Sequence, residues 1–207
     1  MINKSPFLIV KDFISPLECE RIVGAVENGL PDCDNSGREL KTVRFNSLYQ
    51  KRIWEAFEDY FSYIEDWFSV EIDYLTALDV EWYPANCIQE NARCENSMFI
   101  ANAWKLTNNY DFTVIIFLKD YNASSNFDEE FEVYGGKLEF PNHQFGFSPQ
   151  RGTAIIFPSN QYFINVTKSP EYGDLFQMRF HVVCSKRFKY DPKQFNGNYK
   201  TWFPGLT

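Results

Sequence analysis

Two histidines, His143 and His181, are the whole imidazole supply of this 207-residue chain. That scarcity limits its chemistry. Covalent catalysis pairs a nucleophile with a neighbouring base, and two imidazoles leave little material for a Cys–His or Ser–His couple. The cysteines at positions 19, 33, 87, 94 and 184 form no CxxC pair. Cys87, Cys94, His181 and Cys184 invite a zinc reading, but structural zinc sites draw on closely paired ligands. His181 and Cys184 lie three apart, which on a strand puts them on opposite faces. Arg93-Cys94-Glu95 sets a guanidinium and a carboxylate two residues apart, on one face of a strand and within reach of an ion pair. By the same period, Leu175, Gln177 and Arg179 share a face. The acidic stretch 120–132 (DYNASSNFDEEFE) lacks the ligand spacing and central glycine of a calcium loop and reads as a solvated tip. Tyr134-Gly-Gly opens a strand rather than a phosphate-binding loop.

The elements that must position these groups are mostly strands. Apolar residues make up 44% of the chain, enough for one sizeable core, and the aromatic excess of 21 Phe and 12 Tyr favours sheet. Residues 7–10 form a short strand. Ser15-Pro-Leu-Glu18 is a capping box with proline at the first helical position, and its helix ends near Gly29-Leu-Pro31. Residues 31–37 are turn-like and 38–45 a strand. Leu48, Ile53, Phe57, Phe61, Ile64 and Phe68 recur at helical spacing, so 47–68 is predicted as one amphipathic helix with a core-facing stripe. From residue 74 onward the pattern is strand: 74–83, 98–106, 112–118, and then 133–184 with tight corners at Gly-Gly, Pro-Asn and Pro-Gln-Arg-Gly.

Charge is unevenly spread. Net charge is −8. Residues 185–207 carry Lys186, Arg187, Lys189, Lys193 and Lys200 against Asp191, so the rest of the chain holds about −12. An acidic body matches nucleic-acid phosphates poorly. The start of the chain carries no apolar signal core and no run approaches a membrane span, so the expectation is reduced thiols and a cytosolic product. The sequons at Asn122 and Asn165 are then chance matches. The basic tail interleaves aromatic residues, among them Trp202 and Phe203. Its simplest reading is a segment wrapping back on its own domain; a docking arm onto another subunit and a single-strand nucleic-acid contact are the alternatives.

Several motifs in order carry a family resemblance. They are PFLIVKDFISPLECERIV at the start, Tyr83-Pro84, DFTVIIFLKDY at 111–121, YGGKLEF at 134–140, PQRGT at 149–153 and IFPS at 156–159. Over residues 6–184 the chain resembles the prolyl 4-hydroxylase branch of the 2-oxoglutarate and Fe(II)-dependent dioxygenases, especially phage-encoded forms. The resemblance implies a mainly β fold with N-terminal helices and a double-stranded β-helix (jelly-roll) core. That domain would span 1–184, followed by a basic aromatic tail at 185–207. In the family, His-x-Asp on one strand and a second His after the FPS element hold Fe(II), and a later basic residue binds 2-oxoglutarate. Here the matching positions are Arg93, Glu95 and Tyr162, and neither His143 nor His181 falls on them. A guanidinium has no lone pair to offer a metal. Gly173-Asp174-Leu175 stands where many members have Gly-x-Arg, which leaves Arg179 as the one candidate for a retained co-substrate contact.

The expectation is therefore a dioxygenase-fold protein with a degenerate metal site and no catalytic residue. It would need no cofactor and would act as a structural or binding subunit, for instance in a phage virion or its assembly. Protein partners or further copies are expected, met through Lys186, Arg187, Lys189, Trp202 and Phe203, with no membrane and no nucleic acid. The competing expectation is an active oxygenase that uses Fe(II) and 2-oxoglutarate on an unusual ligand set including Glu95. A third is a small-molecule or glycan module using the vacated barrel mouth.

Overall fold

In the computed structural model, residues 4–29, 41–44, 47–123 and 128–195 are described. The elements follow in chain order. The first part contains β1 (Leu8–Val10), α1 (Pro16–Gly29), β2 (Lys41–Arg44), α2 (Ser47–Glu58), α3 (Phe61–Phe68), β3 (Ile72–Leu75) and β4 (Asp79–Tyr83). Next come β5 (Ser97–Ile100), β6 (Ala103–Leu106), β7 (Phe112–Phe117), β8 (Asp120–Tyr121), β9 (Glu132–Gly135), β10 (Leu138–Phe140) and β11 (Phe145–Phe147). The chain closes with β12 (Ala154–Pro158), β13 (Val166–Thr167), β14 (Pro170–Tyr172) and β15 (Leu175–Cys184).

The major sheet is antiparallel in the order β1-β12-β7-β15-β4-β2, with β3 paired to the far end of β15. The central strand shows how sequence makes the layers. In LFQMRFHVVC, Phe176, Met178, Phe180 and Val182 point to one side and Leu175, Gln177, Arg179 and His181 to the other, the two-residue period of a strand. The apolar side meets α1 through Cys19, Ile22, Val23 and Val26, α2 through Ile53 and Phe57, and α3 through Ile64 and Phe68. Each such buried side chain contributes about 1.5–3 kcal/mol relative to exposure. The other side faces two small sheets, β11-β10-β13 and β14-β9-β8. Phe7, Tyr83, Phe117, Phe140, Phe157 and Phe163 fill the space between these layers. The expected mainly β jelly roll with a helical layer is what the chain forms.

Glycines make two of its corners. Gly152, in PQRG, has φ +75°, and a Cβ there would stand 2.3 Å from the Ile14 carbonyl oxygen. That close approach docks the corner on the β1–α1 link, where the Ile14 N–H donates to Gly152 O at 3.3 Å. Gly135 has φ +91°, and a Cβ would lie 2.9 Å from the Glu171 nitrogen. Both motifs thus serve architecture.

Some local expectations need correction. The single helix over 47–68 is two, parted at Asp59–Tyr60, where the Tyr60 N–H bonds back to Phe57 O at 2.9 Å. The apolar stripe runs on through the break, so its period does not reveal it. Ser15 caps α1, its hydroxyl accepting from the Glu18 N–H at 3.2 Å. Glu18 itself turns to Arg21 and Arg52. Residues 74–83 and 98–106 are each two strands, the latter a hairpin turning at Ala101–Asn102, both with positive φ. The turn expected at 31–37 lies outside the described residues.

The C-terminal segment joins the body as far as it is described. Phe195 is buried, and Phe188 and Tyr190 pack on the same core cluster. Asp111 anchors the segment's start by accepting the N–H of Cys184 and of Phe188, each at 2.9 Å. Lys186, Arg187 and Lys189 are exposed, while Trp202 and Phe203 lie outside the described residues. No helix among the described residues is long and apolar enough to cross a membrane.

Candidate functional site: a closed ring of charge inside the barrel

On the inner face of the major sheet, the apolar filling gives way at one end to polar side chains. Glu81 of β4 is paired in register with Gln177 of β15, and Arg179 and His181 follow on the same face. Across from them the segment 93–95 runs beside Asn165, with which Arg93 exchanges two backbone hydrogen bonds of 2.8 and 2.9 Å. Strand period and one isolated bridge therefore bring together two carboxylates and two guanidiniums from distant parts of the chain.

They close a ring. Arg179 donates from Nε to both oxygens of Glu81, at 3.0 and 3.1 Å, and from Nη1 to Glu95 Oε1 at 2.6 Å. Arg93 donates from Nη2 to Glu81 Oε1 at 2.6 Å and from Nε to Glu95 Oε1 at 3.1 Å. Signs alternate around the ring and its formal charge is zero. Neutral side chains surround the same carboxylates. Gln177 Nε2 donates to Glu81 Oε2 at 2.6 Å and the Tyr83 hydroxyl to the same oxygen at 3.2 Å. Asn165 Nδ2 lies 3.4 Å from Glu95 Oε1. His181 stacks on Tyr110 and places Nε2 3.5 Å from Glu95 Oε2. Arg93 forms the outer side of the ring, with 34% of its side chain exposed against 6% for Arg179, and also neighbours Glu90.

Burial alone would raise the pKa of both carboxylates. For Glu81, the opposing fields of Arg179 and Arg93, with the Gln177 hydrogen bond, prevail and bring it down to about 2. Glu95 is likewise held well below the usual carboxylate range, against its burial, by Arg179, His181 and Arg93. Burial raises the Tyr83 hydroxyl, helped by Glu81, so it stays a neutral donor. A depressed carboxylate stabilises the fold above its unfolded pKa and loses that contribution as pH falls through its folded one. Between pH 4.5 and about 2 the domain should lose roughly 3 kcal/mol from Glu81 alone. Urea midpoints measured from neutral pH downward check this, and Glu81→Gln should flatten the slope.

Of the residues singled out in the sequence, Arg93, Glu95 and Arg179 meet in this ring. Tyr162 does not join it. It lies in a 3₁₀ turn, Gln161–Phe163, is 49% exposed, and packs on Tyr190. The turn uses up the residues that follow FPS, and pairing with the Arg93 strand resumes only at Asn165. That asparagine is the residue beside Glu95. Glu81 was missed, although its position two before Tyr83 in an apolar strand was a usable signal. His143 stacks on Phe163 near Phe7, within the aromatic filling. The zinc grouping does not assemble: among the described residues no cluster of three His, Cys, Asp or Glu could hold a metal. Burial pushes Cys19 and Cys184 up to about 12 and also raises Cys87 and Cys94, so these thiols are poor nucleophiles.

No family model matches the sequence, and no curated protein does. The backbone does find relatives. A viral collagen prolyl hydroxylase from Paramecium Bursaria Chlorella virus-1, solved with 2OG, superposes with a TM-score of 0.65 at 13% identity, covering 88% of this chain and 97% of that one. The fold is that of the prolyl 4-hydroxylases. A Pseudomonas putida prolyl-4-hydroxylase matches with a TM-score of 0.57 at 9% identity, over 86% of this chain and 92% of that one. A Trichoplax adhaerens prolyl hydroxylase, solved with a hypoxia inducible factor peptide fragment, gives 0.54 at 16%, over 93% and 86%.

The family resemblance implied an Fe(II) ion; among the described residues no group of three His, Cys, Asp or Glu is placed to hold one. The ring offers carboxylates whose lone pairs already face guanidiniums, and two fixed positive charges would adjoin any cation placed there. Arg179 is partly committed. Its Nε and Nη1 serve Glu81 and Glu95.

Proposed function

We propose that this chain is a non-catalytic protein on the prolyl-hydroxylase fold, serving as a structural or binding subunit. The observation that carries the reading is the charge-neutral ring of Glu81, Arg93, Glu95 and Arg179. A metal-dependent oxygenase holds its ligands ready for the ion; this barrel pairs its buried carboxylates with its own guanidiniums. The arrangement acts as a polar plug that ties β4, β15 and the 93–95 segment together. In this reading Arg93, Glu95 and Asn165 are the remnants of a metal site, and the working surface of the protein lies elsewhere. The likeness to a viral enzyme and to phage-encoded sequences supports a place in a virion or its assembly.

The test is turnover together with binding. Purified protein is incubated with Fe(II), ascorbate, 2-oxoglutarate and proline-containing peptides, and succinate is quantified. Calorimetric titrations with Fe(II) and with 2-oxoglutarate run alongside. The expected result is succinate at the no-enzyme level and no stoichiometric binding of either. Succinate above background that vanishes in Glu95→Ala would overturn the proposal and establish an oxygenase with a carboxylate-based site.

A further inference from the structure

The hairpin β5–β6 is a two-stranded sheet of its own. Its two strands pair only with each other among the described residues. Met98, Phe99, Ile100, Trp104 and Leu106 are all exposed, the phenylalanine at 60%. Because consecutive residues alternate sides, apolar groups line both faces of the ribbon. A lone two-stranded ribbon is marginal in water, and open apolar strands invite a partner. Its base is nevertheless built to hold a fixed direction. Asn96 accepts the N–H groups of Thr107 and Asn108 and donates from Nδ2 to the Tyr110 carbonyl. From Asn96 to Tyr110 the single charge is Lys105. Arg187 sits beside this base, close to Asn108 and Asn109.

At the far end of the major sheet from the hairpin's foot is a surface of opposite character. A cavity of about 320 Å³ lies where β15 begins and β7 ends. Glu27, Glu129, Glu171 and Asp174 surround it, and Lys119, itself buried, points its ammonium to the Glu129 carbonyl at 2.7 Å. Three acidic groups thus remain in excess. Tyr172 forms one wall and continues into a ladder with Tyr134 and Tyr121, at ring spacings of 6.1 and 6.0 Å. The wall is therefore aromatic and its rim acidic, the converse of an apolar tip with a cationic base. β15 runs from this cavity to the foot of the hairpin, a span of roughly 30 Å at the rise of a strand. A rigidly based hairpin cannot cross that distance to its own cavity.

We propose that the hairpin of one copy seats against the acidic, tyrosine-walled cavity of the next, so that the chain assembles head to tail. Contacts between unlike surfaces close into rings or continue as filaments, depending on the rotation per subunit. The charge pattern selects this pairing over hairpin-to-hairpin contact, which would oppose Lys105 to itself and leave the acidic rim unanswered. The inference deepens the assembly reading above and does not depend on whether the barrel is catalytic.

The experiment uses the full chain and light scattering over a concentration series, at low and high salt. Two surface variants separate the halves of the contact: Phe99→Ser with Trp104→Ser at the tip, and Glu129→Lys with Glu171→Lys at the rim. Thermal unfolding confirms that each remains folded. Wild type is expected to grow with concentration and to shrink with added salt. Each variant alone is expected to be monomeric, and an equimolar mixture to stop at a one-to-one dimer, because only one intact tip and one intact rim remain. Glu171→Lys by itself is expected to weaken association by about tenfold. A monomeric wild type at every concentration overturns the proposal. So does a rim variant that still self-associates, which would mean hairpin-to-hairpin pairing, or wild type that stays monomeric and co-sediments with phosphatidylcholine vesicles. Succinate formation by an assembling chain would sink the non-catalytic reading alone.

Discussion

Arg179→Met should lower stability by roughly 4 kcal/mol, because it strips one guanidinium from two buried carboxylates. In the folded chain Arg179 is 6% exposed and bonds Glu81 through Nε and Glu95 through Nη1. With methionine in its place, only Arg93 faces both acids, and Arg93 is itself partly open to solvent. The uncompensated charge must then be protonated, hydrated or expelled, each at a cost. For a chain of this size the loss corresponds to a fall of roughly 10 °C in melting temperature, measurable by calorimetry. Adding Glu81→Gln should recover part of the loss, since one positive then faces one negative charge. An Arg179→Met protein that melts with wild type would mean that the ring does not hold in solution. The same measurement separates a plug from a ligand site, because a guanidinium reserved for a co-substrate would cost little when removed.

Removing residues 186–207 should unfold the domain or drive it to aggregate. The sequence reads the tail first as a segment wrapping back on its own domain, with a docking arm as an alternative. As far as residue 195 the first reading holds, because Phe195 is 4% exposed and meets Phe68, Phe188 and Tyr190 at ring spacings of 5.9–6.1 Å. Tyr190 also sits edge-on to Phe163 at 4.9 Å, tying the segment to the inner core as well. Emptying one buried phenylalanine site typically costs 3–5 kcal/mol, and the truncation vacates more than one. Phe195→Ala is the graded version and should cost roughly 3 kcal/mol by urea unfolding. A truncated chain with an unchanged urea midpoint would restore the arm reading.

The architecture was legible because it rests on short-range patterns. The two-residue alternation of Phe176, Met178, Phe180 and Val182, the capping serine before α1 and the glycine corners at 135 and 152 each specify local geometry with their own residues. The departure from the family's ligand pattern was legible for a different reason. The chain has as many histidines as the triad needs, and it is their places, 143 and 181, that miss the motif. The break between α2 and α3 was not legible, since the apolar stripe that defines the helix is the same on both sides of it.

The candidate site was readable in part. Arg93 and Glu95 stand two apart on a strand, so their proximity follows from the backbone. That Arg179 would join them follows from its face, not from its neighbours in sequence. Glu81 and Asn165 entered only through pairing: β4 is placed beside β15 by the sheet, and Asn165 reaches Arg93 because the Gln161–Phe163 turn delays the strand. Sequence by itself thus determined the layers and the corners, each of them set by residues within a few positions of one another. Tertiary structure decided which charges meet, since a ring joining residues 81, 93, 95 and 179 depends on strand register, and register is a property of the folded sheet.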